Sequence, residues 1–437
     1  MLHAPKSLDS TGSSRRNTLK ATTLAATVGS LPIARSAHAA GDDVLKVGLV
    51  GCGGRGSGAA VNALAADPRV KITALGDAFE GRVRNSLSAL SKRDAQRVDV
   101  PEDRCFVGFD AYQKVIDSDV DVVLLATPPH FRPLQLKACI DAGKHVFCEK
   151  PMAVDAPGVR SIMASAEAAD RKGLNIVSGF CWRYHPAVQA TMQQVLDGAI
   201  GDVVSIQETY LAGTLWHRGH QPDDTEMTYQ MRNWLYFDWL SGDFNTEQHV
   251  HSLDKASWAM GDKPPVRAWG LGGRQVRTEM PKWGNIYDHH AVVYEYENGC
   301  HVHAYCRQQA GTYRDVSDLF FGTKGRADIL GHRITGETDW RYRGPGGNMY
   351  ELEHVALFKA IRDGNRVNDG HYMATSTMLG ILGRMVDYTG QAVTWDQALN
   401  SELLLAPKEY AWDAQPPVMP DADGNYPIAT PGITPFV

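Results

Sequence analysis

The sequence predicts an α/β protein in two parts. A doubly wound parallel sheet comes first, followed by an α/β domain with a large open, mostly antiparallel sheet. Three observations point there. Between residues 44 and 179, short apolar strands alternate with helical stretches. A glycine cluster, Gly51-Cys52-Gly53-Gly54-Arg55-Gly56, separates the first of those strands from the first helix. From Phe180 onward the apolar pattern shifts to period-two alternation, the mark of sheets with one face open to water.

Taken in order, residues 45–50 form a short apolar strand that ends at the glycines. Residues 55–66 continue as a helix with small residues towards the sheet, and residues 70–75 make a second strand closing on Asp77. Residues 120–126 are almost entirely apolar, as expected of a central strand covered on both faces, and Pro128 with Pro129 breaks them. A helix over residues 134–142 leads to a strand at 145–148, which runs into Glu149-Lys150-Pro151. A helix at 157–172 and a strand at 174–179 complete a first domain, residues 44–179. The second domain, residues 180–415, contains alternating stretches at 203–210 and 292–297. Asn298-Gly299 then turns the chain into residues 301–305, which completes a hairpin. Helices are expected at 351–363 and 373–388. Residues 416–437, rich in proline and glycine, read as an irregular tail.

Residues 1–39 read as an export signal. Ser14-Arg15-Arg16-Asn17-Thr18-Leu19-Lys20 is a twin-arginine pattern, an apolar run follows, and Ala37-His38-Ala39 has the form of a cleavage site. The expected location is the periplasm. The seven cysteines are odd in number and lack C-x-x-C spacing, which argues against a disulfide framework. That fits folding in the cytoplasm before export, where a nucleotide can be acquired. A formal charge of −6 leaves no basic footprint for nucleic acid. No stretch of the mature chain is apolar enough to span a bilayer.

The glycines fit G-x-G-x-x-G at Gly51, Gly53 and Gly56, with Gly54 and Arg55 between them. Such a loop turns tightly and lets a diphosphate approach the backbone N–H groups at a helix N-terminus, as in the Rossmann fold. Asp77, about 20 residues on, is placed to bind ribose hydroxyls and favours NAD over NADP, whose 2′-phosphate would meet its charge. Lys150 lies at the C-terminal edge of the parallel sheet, where ligands of doubly wound folds bind. A lysine there can donate to a substrate oxygen and stabilise the charge that builds as a hydroxyl becomes a carbonyl. Its bond to Pro151 is open to either isomer. In residues 241–254, a helix would set Glu247 and His251 on one face, so that His251 removes a hydroxyl proton and Glu247 orients its ring.

Glu247, His249, His251, Asp288, His289, His290, His301 and His303 raise the question of a metal. A His-x-His pair on a strand shares a face, but His249 and His251 on a helix diverge, and no metal is expected. Aromatic residues are dense between Trp182 and Trp239. Most suit a core, yet rings such as Tyr184 and Trp234 also suit a carbohydrate pocket. Arg183, His185, Arg218 or Arg232 would serve the sugar hydroxyls.

With these motifs together, residues 44–398 resemble the Gfo/Idh/MocA oxidoreductases. The resemblance rests on the glycine cluster, Asp77, Ala126-Thr127-Pro128, Glu149-Lys150-Pro151 within residues 142–153, and the acid and histidine of residues 242–254. It implies a Rossmann domain that binds NAD and a C-terminal sheet used for oligomerisation, giving a homodimer or homotetramer. The resemblance maps cofactor positions onto Gly51, Gly53, Gly56, Asp77, Thr127, Pro128 and Glu149, and catalytic ones onto Lys150, Glu247 and His251. Two positions depart from the family pattern. His249 replaces the small residue common between the acid and the histidine, which would tighten the substrate pocket or make it metal-capable, and Arg132 replaces a histidine, leaving His130 as the candidate ribose contact. The function implied is hydride transfer between NAD and a secondary hydroxyl of a sugar, sugar derivative or polyol. An NAD-dependent glycosidase or keto-glycoside lyase, which begins with the same oxidation, is the alternative.

Overall fold

The computed structural model describes residues 43–437, and the expected export signal lies outside them. Six strands build the first sheet: β1 (Leu45–Val50), β2 (Val70–Asp77), β3 (Cys105–Val107), β4 (Val122–Leu125), β5 (His145–Cys148) and β6 (Ile176–Ser178). All pairs are parallel, and the order is β3-β2-β1-β4-β5-β6. The direction of winding reverses between β1 and β4, which opens a crevice beyond their C-terminal ends. Every residue of β4 is fully buried, which explains its unbroken apolar run. The strand expected at 174–179 shrinks to three residues. β3, equally short and only half-buried, has no periodic signal to read.

The second sheet has nine strands: β7 (Val203–Ala212), β8 (Arg267–Gly273), β9 (His289–Glu295), β10 (His301–Gln308), β11 (Asp315–Gly322), β12 (Gly325–Asp328), β13 (Arg333–Gly336), β14 (Trp340–Arg341) and β15 (Val393–Thr394). Their order is β14-β13-β12-β11-β7-β10-β9-β8-β15. Only β7 and β10 run parallel; the other neighbours are antiparallel. β9 and β10 form the expected hairpin, with Gly299 left-handed at φ +79°. Along β10, Val302, Ala304 and Cys306 enter the core while His301, His303 and Tyr305 face outward. The outer face carries Leu271 at 68% exposure and Tyr305 at 40%, so an apolar patch is left open.

Helix Gly370–Thr389 is buried on nearly every side. It lies between the second sheet and helices Ala156–Lys172 and Val250–Ala259, so it is core to both domains. Helix Met349–Asp363 returns to pack on helix Gly54–Ala66, and Asn368 bridges to Ile176. The C-terminal chain therefore braces the first domain. Among the described residues no helix is long and apolar enough to cross a membrane.

One buried charge cluster holds the segment that leads to the site. Gly242 and Asp243 are both left-handed, at φ +77° and +70°. Asp243 accepts hydrogen bonds from Tyr287 N–H at 3.0 Å and Tyr388 Oη at 2.6 Å. His290 lies 3.3 Å from Asp243 and 2.8 Å from Asp387. Burial alone would lower the His290 pKa, but the two carboxylates outweigh it and raise it to about 9. A histidine with a raised folded pKa stabilises fully below its unfolded value of about 6.5, and that stabilisation is lost as pH climbs through the folded value. Melting temperature should therefore fall by several degrees between about pH 7 and pH 10. In His290→Gln it should start lower and lose this slope, as a differential scanning fluorimetry series would show.

Candidate functional site

The glycine cradle sits at the end of β1. Gly51 turns the chain at φ +96° into the helix that starts at Gly54. A Cβ on Gly51 would lie 2.6 Å from the Thr127 nitrogen, and one on Gly56 would lie 1.8 Å from the Gly51 carbonyl oxygen. Strand and helix meet too closely there for any side chain. At Gly54 nothing stands within 4 Å of the Cβ position, so its helix-starting backbone faces open space. These features fit a dinucleotide diphosphate, which would receive N–H bonds and the positive end of the helix. Gly56→Ala should lower NADH affinity about five- to 150-fold, since overpacking against backbone costs roughly 1–3 kcal/mol. A fluorescence titration with NADH checks this.

Asp77 ends β2. Its Oδ2 accepts from Cys52 N–H at 2.7 Å and its Oδ1 from Phe79 N–H at 2.9 Å, while burial pushes its pKa up. The carboxylate thus shapes the glycine loop as well as facing the cleft, a role that spacing alone does not reveal. Thr127 donates its hydroxyl to Gln135 at 2.7 Å. Glu149 is paired with Arg55 at 2.8 Å, joining the glycine loop to the end of β5. Arg132 donates to the carbonyls of both Thr127 and Pro151. The position where the family pattern fails is therefore a staple between two edges of the crevice. The Lys150-Pro151 bond is cis.

The segment bearing Glu247 and His251 is not one regular helix. After the left-handed pair it makes a wide π-helical turn, Asn245–His249, and only then the α-helix Val250–Ala259. The expected partnership is corrected as a result. Glu247 pairs with Lys150: Nζ donates to its Oε1 at 3.0 Å and to its main-chain carbonyl at 2.5 Å. His251 has its Nδ1 buried without a hydrogen-bond partner, and its ring stands edge-on to Phe180. Burial first, then the charges of Lys150 and Lys255, hold the His251 pKa well below the usual 6.5. From beneath, Lys255 donates to the His251 carbonyl at 2.7 Å and pairs with Asp318 at 3.1 Å.

One cleft of about 490 Å³ gathers most of these groups. Gly51, Gly53, Gly54, Arg55, Gly56, Asp77, Thr127, Pro128 and Glu149 line it, and so do Lys150, Glu247, His251 and Trp234. Lys150 comes from the first domain and Glu247 and His251 from the second, and all three reach the same space.

Five other expected contacts lie elsewhere. Arg183 is bound to Asp254 at 2.9 Å and Asp262 at 2.5 Å, two carboxylates that draw it into the protein. Tyr184 donates to Asp369 at 2.5 Å. His185 caps helix Pro186–Leu196 and stacks on His332. His249 is fully buried with Nδ1 3.1 Å from Asn245, because the π-helical turn swings it inward. His130 bonds Tyr410 at 2.7 Å and is enclosed by rings, which lowers its pKa to about 3. None of the five lines the cleft.

Of the arginines considered for sugar hydroxyls, Arg218 reaches the cleft, whereas Arg232 is tied to Asp224. Phe79, Arg82, Trp216, Gln248 and Tyr350 line it too. They come from loops and helix ends, without periodicity to announce them. Among the described residues no three His, Cys, Asp or Glu side chains group as a metal would require.

Comparison with known proteins places the chain in a family. Residues 45–180 match a family model described as oxidoreductase family, NAD-binding Rossmann fold. Residues 188–328 match the GFO/IDH/MocA C-terminal domain. The chain is 25% identical over 241 residues to trans-1,2-dihydrobenzene-1,2-diol dehydrogenase of Bos taurus, covering 55% of this chain and 62% of that one. It is 26% identical over 289 residues to inositol 2-dehydrogenase 2 of Saccharopolyspora erythraea, covering 65% and 73%. A solved levoglucosan dehydrogenase in complex with NADH and levoglucosan superposes with a TM-score of 0.62 at 18% identity, covering 80% of this chain and 99% of that one. With both domains matched and the cradle intact, the chain belongs to the Gfo/Idh/MocA oxidoreductases, an NAD-binding Rossmann domain joined to the family's C-terminal domain.

Proposed function

We propose that the protein oxidises a secondary hydroxyl of a sugar, sugar derivative or polyol, and reduces the corresponding ketone in reverse. The observation that carries this is the meeting of Lys150, Glu247 and His251 in the cleft that begins at the glycine cradle. NAD, when bound, supplies the hydride acceptor. The protein's part is to hold the alcohol and move its proton. Lys150, steadied by Glu247, offers its remaining N–H to the substrate oxygen and stabilises negative charge there. His251, neutral because it is buried, accepts the hydroxyl proton; with Nδ1 buried, Nε2 is the nitrogen left for that task. Trp216 and Trp234, their rings 6.1 Å apart, offer apolar faces to sugar C–H groups.

The relatives named as inositol and dihydrodiol dehydrogenases support a polyol or cyclic diol as substrate class. The exposed row on the second sheet, with Leu271 and Tyr305, supports assembly as a homodimer or homotetramer. The twin-arginine pattern supports export to the periplasm with the nucleotide already held. The test is a screen of sugars and polyols against the nucleotide-loaded protein, read at the NADH absorbance band. Reduction by at least one polyol is expected. Release of aglycone from aryl glycosides without net NADH would replace this reading by the glycosidase one.

A further inference from the structure

Beyond its last helix the chain has no regular structure, yet it is tied down along its length. Leu405 N–H donates to Asp155 at 2.9 Å, and Asp155 also caps helix Ala156–Lys172. Gln230 donates to the Val418 carbonyl at 2.6 Å, Tyr287 to that of Ala429 at 2.8 Å, and Gly432 N–H to that of Thr389 at 2.8 Å. Thr225 holds the carbonyl of Trp412 itself.

Between these anchors the tail places two rings behind the cleft wall. Trp412 lies 4.9 Å from Phe79 and 4.6 Å from Phe109, centre to centre, and Tyr410 lies 5.9 Å from Phe109. Phe79 and Phe109 line the cleft; Trp412 and Tyr410 do not. Phe79 is also the residue whose N–H binds Asp77, and Phe109 follows the end of β3. In a doubly wound fold the adenosine half of a dinucleotide lies over the ends of these strands, past the acid that meets its ribose.

We propose that Trp412, assisted by Tyr410, is a positioning residue for the nucleotide: it fixes Phe79 and Phe109 as the wall of the adenosine end. This rests on the NAD-binding reading above. Phe79 and Phe109 stand on loops whose backing comes from this distant tail. Phe131 also packs on Phe109 and the Phe79 N–H is bonded to Asp77, but without the tail both rings lose their packing from behind, and ordering them then counts against each binding event. The tail thereby slows escape of the nucleotide without touching it.

The test uses the full mature chain. Trp412→Ala, Trp412→Phe and the wild type are titrated with NADH and with reduced nicotinamide mononucleotide, which lacks adenosine. NADH dissociation is followed by stopped flow. Trp412→Ala is expected to weaken NADH about tenfold and speed its release by a similar factor, the size of one or two lost aromatic pairs. Mononucleotide binding should not change, and Trp412→Phe should recover most of the loss. Should Trp412→Ala not fold, Trp412→Leu is read in its place with the same split expected. Equal NADH affinity in the variant and wild type would overturn the proposal, as would equal weakening of both ligands. A wild type that binds neither ligand would instead overturn the NAD-binding reading, and this inference with it.

Discussion

Lys150→Met is expected to lower kcat/KM by about a thousandfold while leaving NADH affinity within roughly threefold. The Lys150 ammonium has three protons, and two are committed to Glu247, through its carboxylate and its main-chain carbonyl. The third is free for a substrate oxygen. Both side chains are mostly buried, at 13% and 14% exposure, so water cannot readily replace the lost donor. Removing one preorganised donor typically costs about 10²–10³ in rate. Leaving the mostly buried Glu247 carboxylate without its cation adds to that. Steady-state kinetics with the best polyol, alongside an NADH titration, measure both quantities. A variant keeping more than a third of wild-type activity would sink the assignment of Lys150.

His251→Asn should cost about 10²–10⁴ in kcat/KM for oxidation, the range for loss of a general base. The wild-type pH profile makes the argument sharper. Because burial and two nearby lysines depress the His251 pKa, the ring is already neutral well below pH 6.5. A base with a lowered pKa loses activity only as pH falls through that lowered value. Oxidation should therefore show no decline attributable to this group between about pH 8 and pH 6. Inflection near 6.5 that vanishes in His251→Asn would mean that the ring is solvated during catalysis, against its placement here. Glu247→Gln separates the two partnerships: it should resemble a milder Lys150 variant, since Glu247 is hydrogen-bonded to the lysine and not to the imidazole.

Local features of the chain carried much of this. Gly51 and Gly56 are legible because only glycine survives a Cβ position 2.6 or 1.8 Å from backbone. Strands β1, β4, β5 and the β9–β10 hairpin are legible because runs and alternation follow from which faces are buried. Arg183, Tyr184 and His185 misled for the opposite reason. They sit in a stretch rich in the residue types that bind sugars, but their partners Asp254, Asp262, Asp369 and His332 are far away in sequence. Each of the three forms a contact that leaves the cleft. The Glu247–His251 pairing failed because a π-helical turn replaces the regular helix on which i, i+4 spacing depends.

By itself the amino-acid sequence determined the two-part α/β architecture and the dinucleotide cradle, because these depend on periodicity and on glycine sterics. Only the tertiary structure decided that Lys150 meets Glu247, that Arg132 staples the crevice, and that a tail some 300 residues beyond Phe109 packs behind the cleft wall. Those contacts arise where distant segments compete for the same charge or apolar surface. No local pattern records the outcome of that competition.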